Sequence, residues 1–592
     1  MNVVTDPAKL LLERMLRLLR WRVWIQEKLQ PTEWQVTLLW AGLVGFLGAL
    51  SSLVFSGLAE GVHQLLTGSN AGVVESMKQL PWWAVLVLPA AGGLLAGLVL
   101  MLGKHLTRGE SSTDYMEAIL IGSGNVPIRS SLVKSAAALF SIGSGGSIGR
   151  EGPMVQLAAV MASFLGRWRQ FTPPQLRLLV ACGAAAGIAS AYNAPIAGSF
   201  FVAEIILGTI AMESLGPLAV SAVAAALTVR VLTSEAQLYK VPEFKLNSPL
   251  EMPAYIALGV IAGVLAPWFL RSLKRSEGLF VATKFPLTVR LMLGGLVVGA
   301  LAIQVPEVCG NGYSVVVNIL NGRVLWTTLF VIVVCKWLAT AASFGSGAPG
   351  GVFTPSLFMG ASAGYLFGFA INSVWPGGAG DPRAFALVGM GAFLSAVSHA
   401  PVMAVIMLFE MTLSYDIILP LMLCSVVAYY TAKGLEGRSL YSEALKKKAA
   451  ETPGGSAFGL GQVAELMKRK PPTLPRGAHF AEIARMFLSM RVNNLYVTDT
   501  EDRFLGAVSL HDIKPYLGEP ELAELVIASD ILREDFPRVA PDATLSEALG
   551  RFLNFEAERL PVVNGEGKLL GSLAKGDLLL ALVEMRKKPV AA

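Results

Sequence analysis

Glu151 stands in GSIGREGPM (residues 146–154), with glycines on either side, a proline two positions on, and apolar runs before and after. A second stretch of the same kind, GGVFTPSLFMGA (350–361), has a glycine pair and a proline at the head of another apolar run. Proline is accepted in the first turn of a helix, where its missing N–H is not needed, so both stretches read as helix openings. The first amides of a helix have no partner within it and carry the positive end of its dipole. Together they hold an anion without any cationic side chain. In the first opening the candidate anion ligands are Gly149, Arg150 and Gly152. A small dehydrated anion between two such openings is bound firmly enough to enter and loosely enough to leave, as conduction requires.

Glu151 sets a carboxylate beside that site. Ionised, it is an anion on a tether and takes the site itself; protonation, or an arriving anion, displaces it. An ionisable residue at membrane depth is expensive and by default functional, and this one links anion passage to protons. A structural salt bridge between Arg150 and Glu151 is the plainer alternative. Adjacent helix residues do not face each other, so Arg150 is expected to satisfy carbonyls or a different carboxylate.

The elements that must carry these residues lie in a membrane. Of 592 residues, 54% are hydrophobic and 15% charged, against about 25% charged in ordinary soluble proteins. The net charge of +6 gathers at LLERMLRLLRWRVWIQEK near the N-terminus and at Lys446, Lys447 and Lys448. It calls for no nucleic acid, and by the positive-inside rule both termini are cytoplasmic. Residues 1–33 read as an Arg-rich amphipathic helix on the membrane surface, without the pattern of a signal peptide. Apolar segments at 36–60, 82–103, 252–270, 288–304, 325–343 and 416–433 approach the ~20 residues that span a bilayer. Those at 132–143, 152–166, 195–208, 352–374 and 401–413 are interrupted by glycine and proline, which a membrane tolerates where the backbone is buried in protein or lines a polar cavity. The four cysteines are scattered and read as small core residues, and the five histidines have no metal-like spacing. No metal site is expected, and no nucleophile–base pair points to an enzyme.

The openings belong to a repeat. GREGPMVQLAAV (149–160) is followed by NAPIAGSFFVAE (193–204), and GGVFTPSLFMGA by HAPVMAVIMLFE (399–410). In each copy an Ala-Pro opens a further helix, and a glutamate falls nine positions after that proline: Pro195 to Glu204, Pro401 to Glu410. Two related halves, about 34–232 and 252–433, are the signature of an inverted-topology fold with its site at the midplane.

After a linker at 449–462 the tail repeats as well. LPRGAHFAEIARMFLSMRVNNLYVTDTEDRFLGAVSLHDI (474–513) parallels VAPDATLSEALGRFLNFEAERLPVVNGEGKLLGSLAKGDL (539–578). Each copy reads as a helix, two strands and a second helix begun near Asp512 or Asp577.

The motifs resemble those of the CLC chloride channels and proton/chloride antiporters. GREGP (149–153) looks like the family's gating-glutamate motif and GGVFTP (350–355) like its GxFxP motif. GNGYSVV (310–316) is similar to its glycine-rich loop, and GRSLYSEAL (437–445) looks like its last membrane helix. The resemblance covers about 34–448, and the tail resembles paired cystathionine-β-synthase (CBS) domains, at 463–517 and 527–585. The resemblance implies an all-α membrane protein with a CLC-like inverted-topology repeat and a C-terminal α/β CBS-pair domain. It implies a homodimer in the cell inner membrane, one pathway per subunit, with chloride and protons as partners. It makes Glu151 the external gate, gives the amides of Val352 and Phe353 to the anion, and has Tyr441 supply a hydroxyl at the inner end.

Two departures bear on function. The family's first filter motif, GSGIPE, has no clean match: RGESSTDYMEAIL (108–120) suits its position better than GSGNVP (122–127). Ser111 or Ser112 is therefore favoured as the anion-facing hydroxyl, with Ser123 the alternative. Antiporters of the family commonly carry an inner glutamate just after the position of Glu204, where this chain has Ile205. Isoleucine relays no proton, so a chloride channel gated by voltage or pH is the favoured function; the alternatives are a proton/chloride antiporter and, further off, a membrane-anchored nucleotide sensor. In the tail, GAVSLHD offers Ser509 and Asp512 to a nucleotide's phosphate and ribose, whereas GSLAKGD retains Asp577 and has Ala574 in place of the hydroxyl. The anion pathway needs no cofactor; an adenine nucleotide in the CBS pair, or a module that only dimerises, are the two readings of the tail.

Overall fold

The computed structural model describes residues 33–107, 114–120, 122–208, 210–233, 239, 249–375, 380–436, 462–469, 471–490, 493–513, 525–555 and 557–578. They fall into two compact units, divided between Leu445 and Lys446.

Among the described residues the membrane unit is all-helical. Its first half contains α1 (Glu33–Thr67), α2 (Val73–Gln79), α3 (Trp82–Leu106), α4 (Tyr115–Leu120), α5 (Ile128–Gly143), α6 (Glu151–Trp168), α7 (Pro173–Tyr192), α8 (Pro195–Phe200) and α9 (Met212–Thr233). The second contains α10 (Met252–Ala282), α11 (Leu287–Gln304), α12 (Tyr313–Leu320), α13 (Trp326–Ser346), α14 (Phe353–Val374), α15 (Pro382–Ser398), α16 (Pro401–Thr412) and α17 (Ile418–Leu435). Among the described residues nine helices are long and apolar enough to cross a membrane.

Packing repeats between the halves. α6 lies on α7 as α14 lies on α15, α1 packs on α9 as α10 packs on α17, and α3 packs on α5 as α11 packs on α13. The turns repeat too. α7 starts with a capping box between Thr172 and Gln175 ahead of Pro173; α15 starts with Asp381 accepting from the Arg383 amide, ahead of Pro382. Both helices stop at a left-handed residue, Asn193 (φ 52°) or His399 (φ 58°), and Ala194 and Ala400 then adopt nearly the same extended turn before the next proline. α8 runs on into a wider π-helix, Phe201–Leu207, a form common at functional sites.

α7 and α15 form the middle of the unit: Val180–Ile188 and Ala384–Ser398 are buried throughout. With lipid no more apolar than leucine, such helices associate through small residues and close backbone approach. Gly360 on α14 and Gly389 on α15 meet in this way, each occupying the space a side chain on the other would need. Leucines and valines such as Leu39, Val54 and Leu58 on α1 remain exposed on the outer face.

Among the described residues the tail holds two three-stranded sheets. β2 (Thr473–Pro475) pairs in parallel with β3 (Asn494–Thr498), which pairs antiparallel with β4 (Phe504–Ser509). β5 (Arg559–Val563) pairs antiparallel with β6 (Leu569–Ala574), whose other edge takes β1 (Lys468–Arg469). The halves exchange these edges: Lys468, which precedes the first copy, pairs with Ser572 of the second, while Arg533, which precedes the second, bridges to Ala507 of the first.

Candidate functional site

Two loops from opposite halves meet at the site. The Gly149 amide donates to the Gly351 carbonyl at 2.7 Å, and the Gly351 amide donates back to the Gly149 carbonyl at 2.9 Å. α6 and α14 each begin two residues after these glycines, so their amide ends are fixed close to each other. A side chain on either glycine would run into the Glu151 carboxylate.

Glu151, the first residue of α6, is buried with 5% of its surface exposed. Its carboxylate lies at the head of α14. Oε1 accepts from the Thr354 amide at 3.1 Å and Oε2 from the Thr354 hydroxyl at 3.1 Å, with the Phe353 amide a further donor. Val352 is the cap residue of α14 and Phe353 its first residue. The tethered carboxylate thus occupies the kind of place where unpaired amides receive an anion. The Thr354 hydroxyl also meets the Tyr192 hydroxyl at 3.0 Å, and the Tyr192 and Phe201 rings pack on Phe353 with centroids 5.1 and 6.3 Å away. Neither Thr354 nor Tyr192 is among the site residues the sequence leads one to expect; the signal for Tyr192 is a lone phenol in a helix of small residues, just ahead of Asn-Ala-Pro.

Behind the glycines a polar stripe on α13 holds the Ser147 loop and the Gly310 turn. Ser343 accepts from the Ser147 amide at 3.2 Å, Thr340 meets the Ser147 hydroxyl at 3.1 Å, and Lys336 donates to the Val308 and Gly310 carbonyls at 2.8 and 2.6 Å. Lys336 is fully buried. The Gly310 amide in turn donates to the Gly145 carbonyl at 3.2 Å, so one connected set of bonds runs from α13 through the Gly310 turn into the loop that carries Glu151.

Arg150 points away from this centre, to Glu60 on α1, with 3.7 Å between the charged atoms. Gly152 passes the Gly350–Gly351 backbone. Ser123 is exposed and accepts from the Asn125 side chain. Ser111, Ser112 and Tyr441 lie outside the described residues, as does the linker. Cys182, Cys309, Cys335 and Cys424 are free thiols.

Glu204 and Glu410 exchange caps across the halves. Glu204 accepts from the Val402 and Met403 amides at 3.2 and 2.7 Å, at the start of α16. Glu410 accepts from the Ile196 and Ala197 amides at 3.0 and 2.7 Å, at the start of α8. Ile205, the next residue after Glu204, packs on the apolar core.

In the tail, Ser509 and Asp512 form a reciprocal helix cap: the Ser509 hydroxyl donates to Asp512 at 2.7 Å, and the Asp512 amide donates back to Ser509 at 3.2 Å. Arg533 pairs with Asp512 at 2.6 Å, and Lys468 with Asp577 at 2.9 Å. Burial pushes the Asp512 carboxyl up, but the Ser509 hydrogen bonds and the Arg533 guanidinium together hold it below the ordinary carboxylate value.

Residues 92–433 match the profile of the voltage-gated chloride channel family, and 463–519 and 528–584 match the CBS domain. A ClcB-like chloride channel protein of Ralstonia nicotianae is 50% identical over 416 residues, 70% of this chain and 97% of that one. The ClcB voltage-gated ClC-type chloride channel of Salmonella typhimurium is 41% identical over 414 residues, 69% of this chain and 98% of its own. Among solved structures, a slow cyanobacterial Cl−/H+ antiporter superposes with a TM-score of 0.62 at 25% identity, covering 70% of this chain and 98% of that one. A eukaryotic CLC transporter shares the fold with a TM-score of 0.61 at 19% identity, covering 91% of this chain and 97% of its own.

Proposed function

Since the chain belongs to the voltage-gated chloride channel family, we propose that it passes chloride across a membrane through a pathway gated by the Glu151 carboxylate. The observation that carries this reading is the seat of that carboxylate, on the Thr354 amide and hydroxyl at the head of α14. The same donors suit a halide equally well, so carboxylate and anion compete for one place. External protons, or a rise in the anion, free the pathway by discharging or displacing Glu151. Passive conduction is favoured over exchange because Ile205 follows Glu204 and relays no proton. The chain works as a homodimer in the cell inner membrane with both termini cytoplasmic, and its CBS pair regulates it from that side, taking an adenine nucleotide at Ser509 and Asp512.

Coupled proton/chloride exchange is the second reading. A protonatable gate inside the pathway favours it, and so does the 25%-identical fold neighbour described as an antiporter. Reversal potentials of the purified protein in vesicles decide between the two. Under a proton gradient, conduction stays at the chloride equilibrium potential and exchange moves away from it. Vesicles without anion flux overturn both.

A further inference from the structure

Resting on the gating role given above to Glu151, we propose that Tyr192 is a positioning residue for the gate: through Thr354 it holds the carboxylate in the anion seat and sets how acid the outside must be before the gate lets go.

Thr354 has one hydroxyl proton. Oε2 of Glu151, ionised, is an acceptor only, so at 3.1 Å the threonine must spend that proton on the carboxylate. The contact between Tyr192 and Thr354, 3.0 Å long, then has a single consistent direction: the phenol donates and the threonine oxygen accepts. The three groups make a one-way relay, Tyr192 to Thr354 to Glu151. Donation into Thr354 Oγ strengthens its outgoing bond in a buried setting. All three residues are buried. The phenol is clamped besides, because its ring packs on Phe353.

The relay matters because little else bears on the carboxylate. On its own helix, Arg150 is engaged with Glu60 of α1. His63, also on α1, is held by the Gly143 carbonyl and the Ser76 hydroxyl. From α14 the contacts are the Phe353 and Thr354 amides and the Thr354 hydroxyl, α7 reaches the carboxylate through the bond from Tyr192 to Thr354, and the short helix α4 brings the Tyr115 amide to Gln156, further along α6. The charged groups of α5, Arg129 and Lys134, and Glu117 of α4 with Asp114 just ahead of it, make no ion pair with Glu151 among the described residues. The hold on the ionised gate is thus set by amides and by two hydroxyls in series. The relay serves the docked carboxylate, so losing it favours release.

The test is chloride flux from vesicles as a function of external pH, for wild type, Tyr192→Phe, Thr354→Val, the double variant and Glu151→Gln. Tyr192→Phe should move the activation curve towards neutral pH and raise flux at neutral pH on the order of three- to tenfold, the size of one lost hydrogen bond. Thr354→Val should do the same or more, and Tyr192→Phe should add nothing on top of it, because the phenol acts through the threonine. Thr354→Ser should restore the wild-type curve. A wild-type curve for Tyr192→Phe, or full additivity with Thr354→Val, overturns the relay. If Tyr192→Phe does not purify as a folded protein, the contrast between Thr354→Val and Thr354→Ser decides: matching curves overturn the relay, and a shift in the valine variant alone supports it. Glu151→Gln separates the two levels. If it abolishes acid activation while Tyr192→Phe is silent, the gate stands and the relay falls; if it retains acid activation, the gating role itself falls.

Discussion

Gly149 and Gly351, 202 positions apart, exchange both of their backbone hydrogen bonds at 2.7 and 2.9 Å. This two-bond bridge brings the openings of α6 and α14 to one point, and the Glu151 side chain fills the space beside both glycines. Replacing either by alanine is expected to drive Glu151 from its seat. Anion flux at neutral pH should then rise by about tenfold or more, since hydrogen bonds to a charged acceptor are each worth about 1.5–3 kcal/mol. Vesicle flux against external pH is the measurement, and a wild-type curve for Gly351→Ala counts against the shared seat.

Glu151→Gln keeps the shape of the gate and removes its charge. Acid activation should vanish, leaving flux flat across pH and open at neutral pH. Retained acid dependence means that a different group titrates.

Lys336 answers two buried carbonyls, those of Val308 and Gly310. Lys336→Met leaves both without a donor, at a cost of about 1–3 kcal/mol for each orphaned group. The melting temperature of the purified protein should fall, and Lys336→Arg should recover part of the loss. An unchanged melt for the methionine variant contradicts the bracing role of this stripe.

The reciprocal caps make a paired prediction. Glu204→Ala and Glu410→Ala should each destabilise by about 0.5–2 kcal/mol, the usual worth of a helix N-cap, and the glutamine variants by less. If Glu204 instead delivers protons, Glu204→Gln alters proton-coupled flux while leaving the melt unchanged.

In the tail the sign of the pH effect follows from Asp512. Its folded carboxyl is held below the unfolded value, so the stabilisation it provides is complete above the unfolded value and is lost as pH falls through the folded one. The hydrogen-exchange protection of the tail in the whole protein, taken against the intrinsic exchange rate at each pH, should therefore fall in acid. Arg533→Gln should blunt that dependence, and an equal response in both proteins excludes the pair as its source.

The sequence shows most of this architecture because its repeats are local: a glycine, a proline and a glutamate at matched spacings mark Pro195–Glu204 and Pro401–Glu410 as counterparts. Spacing along a chain says nothing of which amides a carboxylate will reach. That Glu204 caps the helix of Pro401, and Glu410 that of Pro195, depends on how the halves cross. Tyr192 and Thr354 were hidden for a similar reason: hydroxyl residues are ordinary in membrane helices, and their role comes from a contact between residues 162 apart. Arg150, expected to find a carbonyl or another carboxylate, finds Glu60. Ser111, Ser112 and Tyr441 fall outside the described residues, so the structure places Glu151 and its seat without placing the serine or the tyrosine.

The exchange of glutamates between α16 and the π-helix that continues α8 also bears on how the membrane unit loses order. Each half supplies the carboxylate that closes a bare helix terminus in the other. A half that came apart alone would leave two amides of its neighbour without their cap. Melting should therefore be concerted across both halves, and a chain cut between them should regain order only when the two fragments are made together.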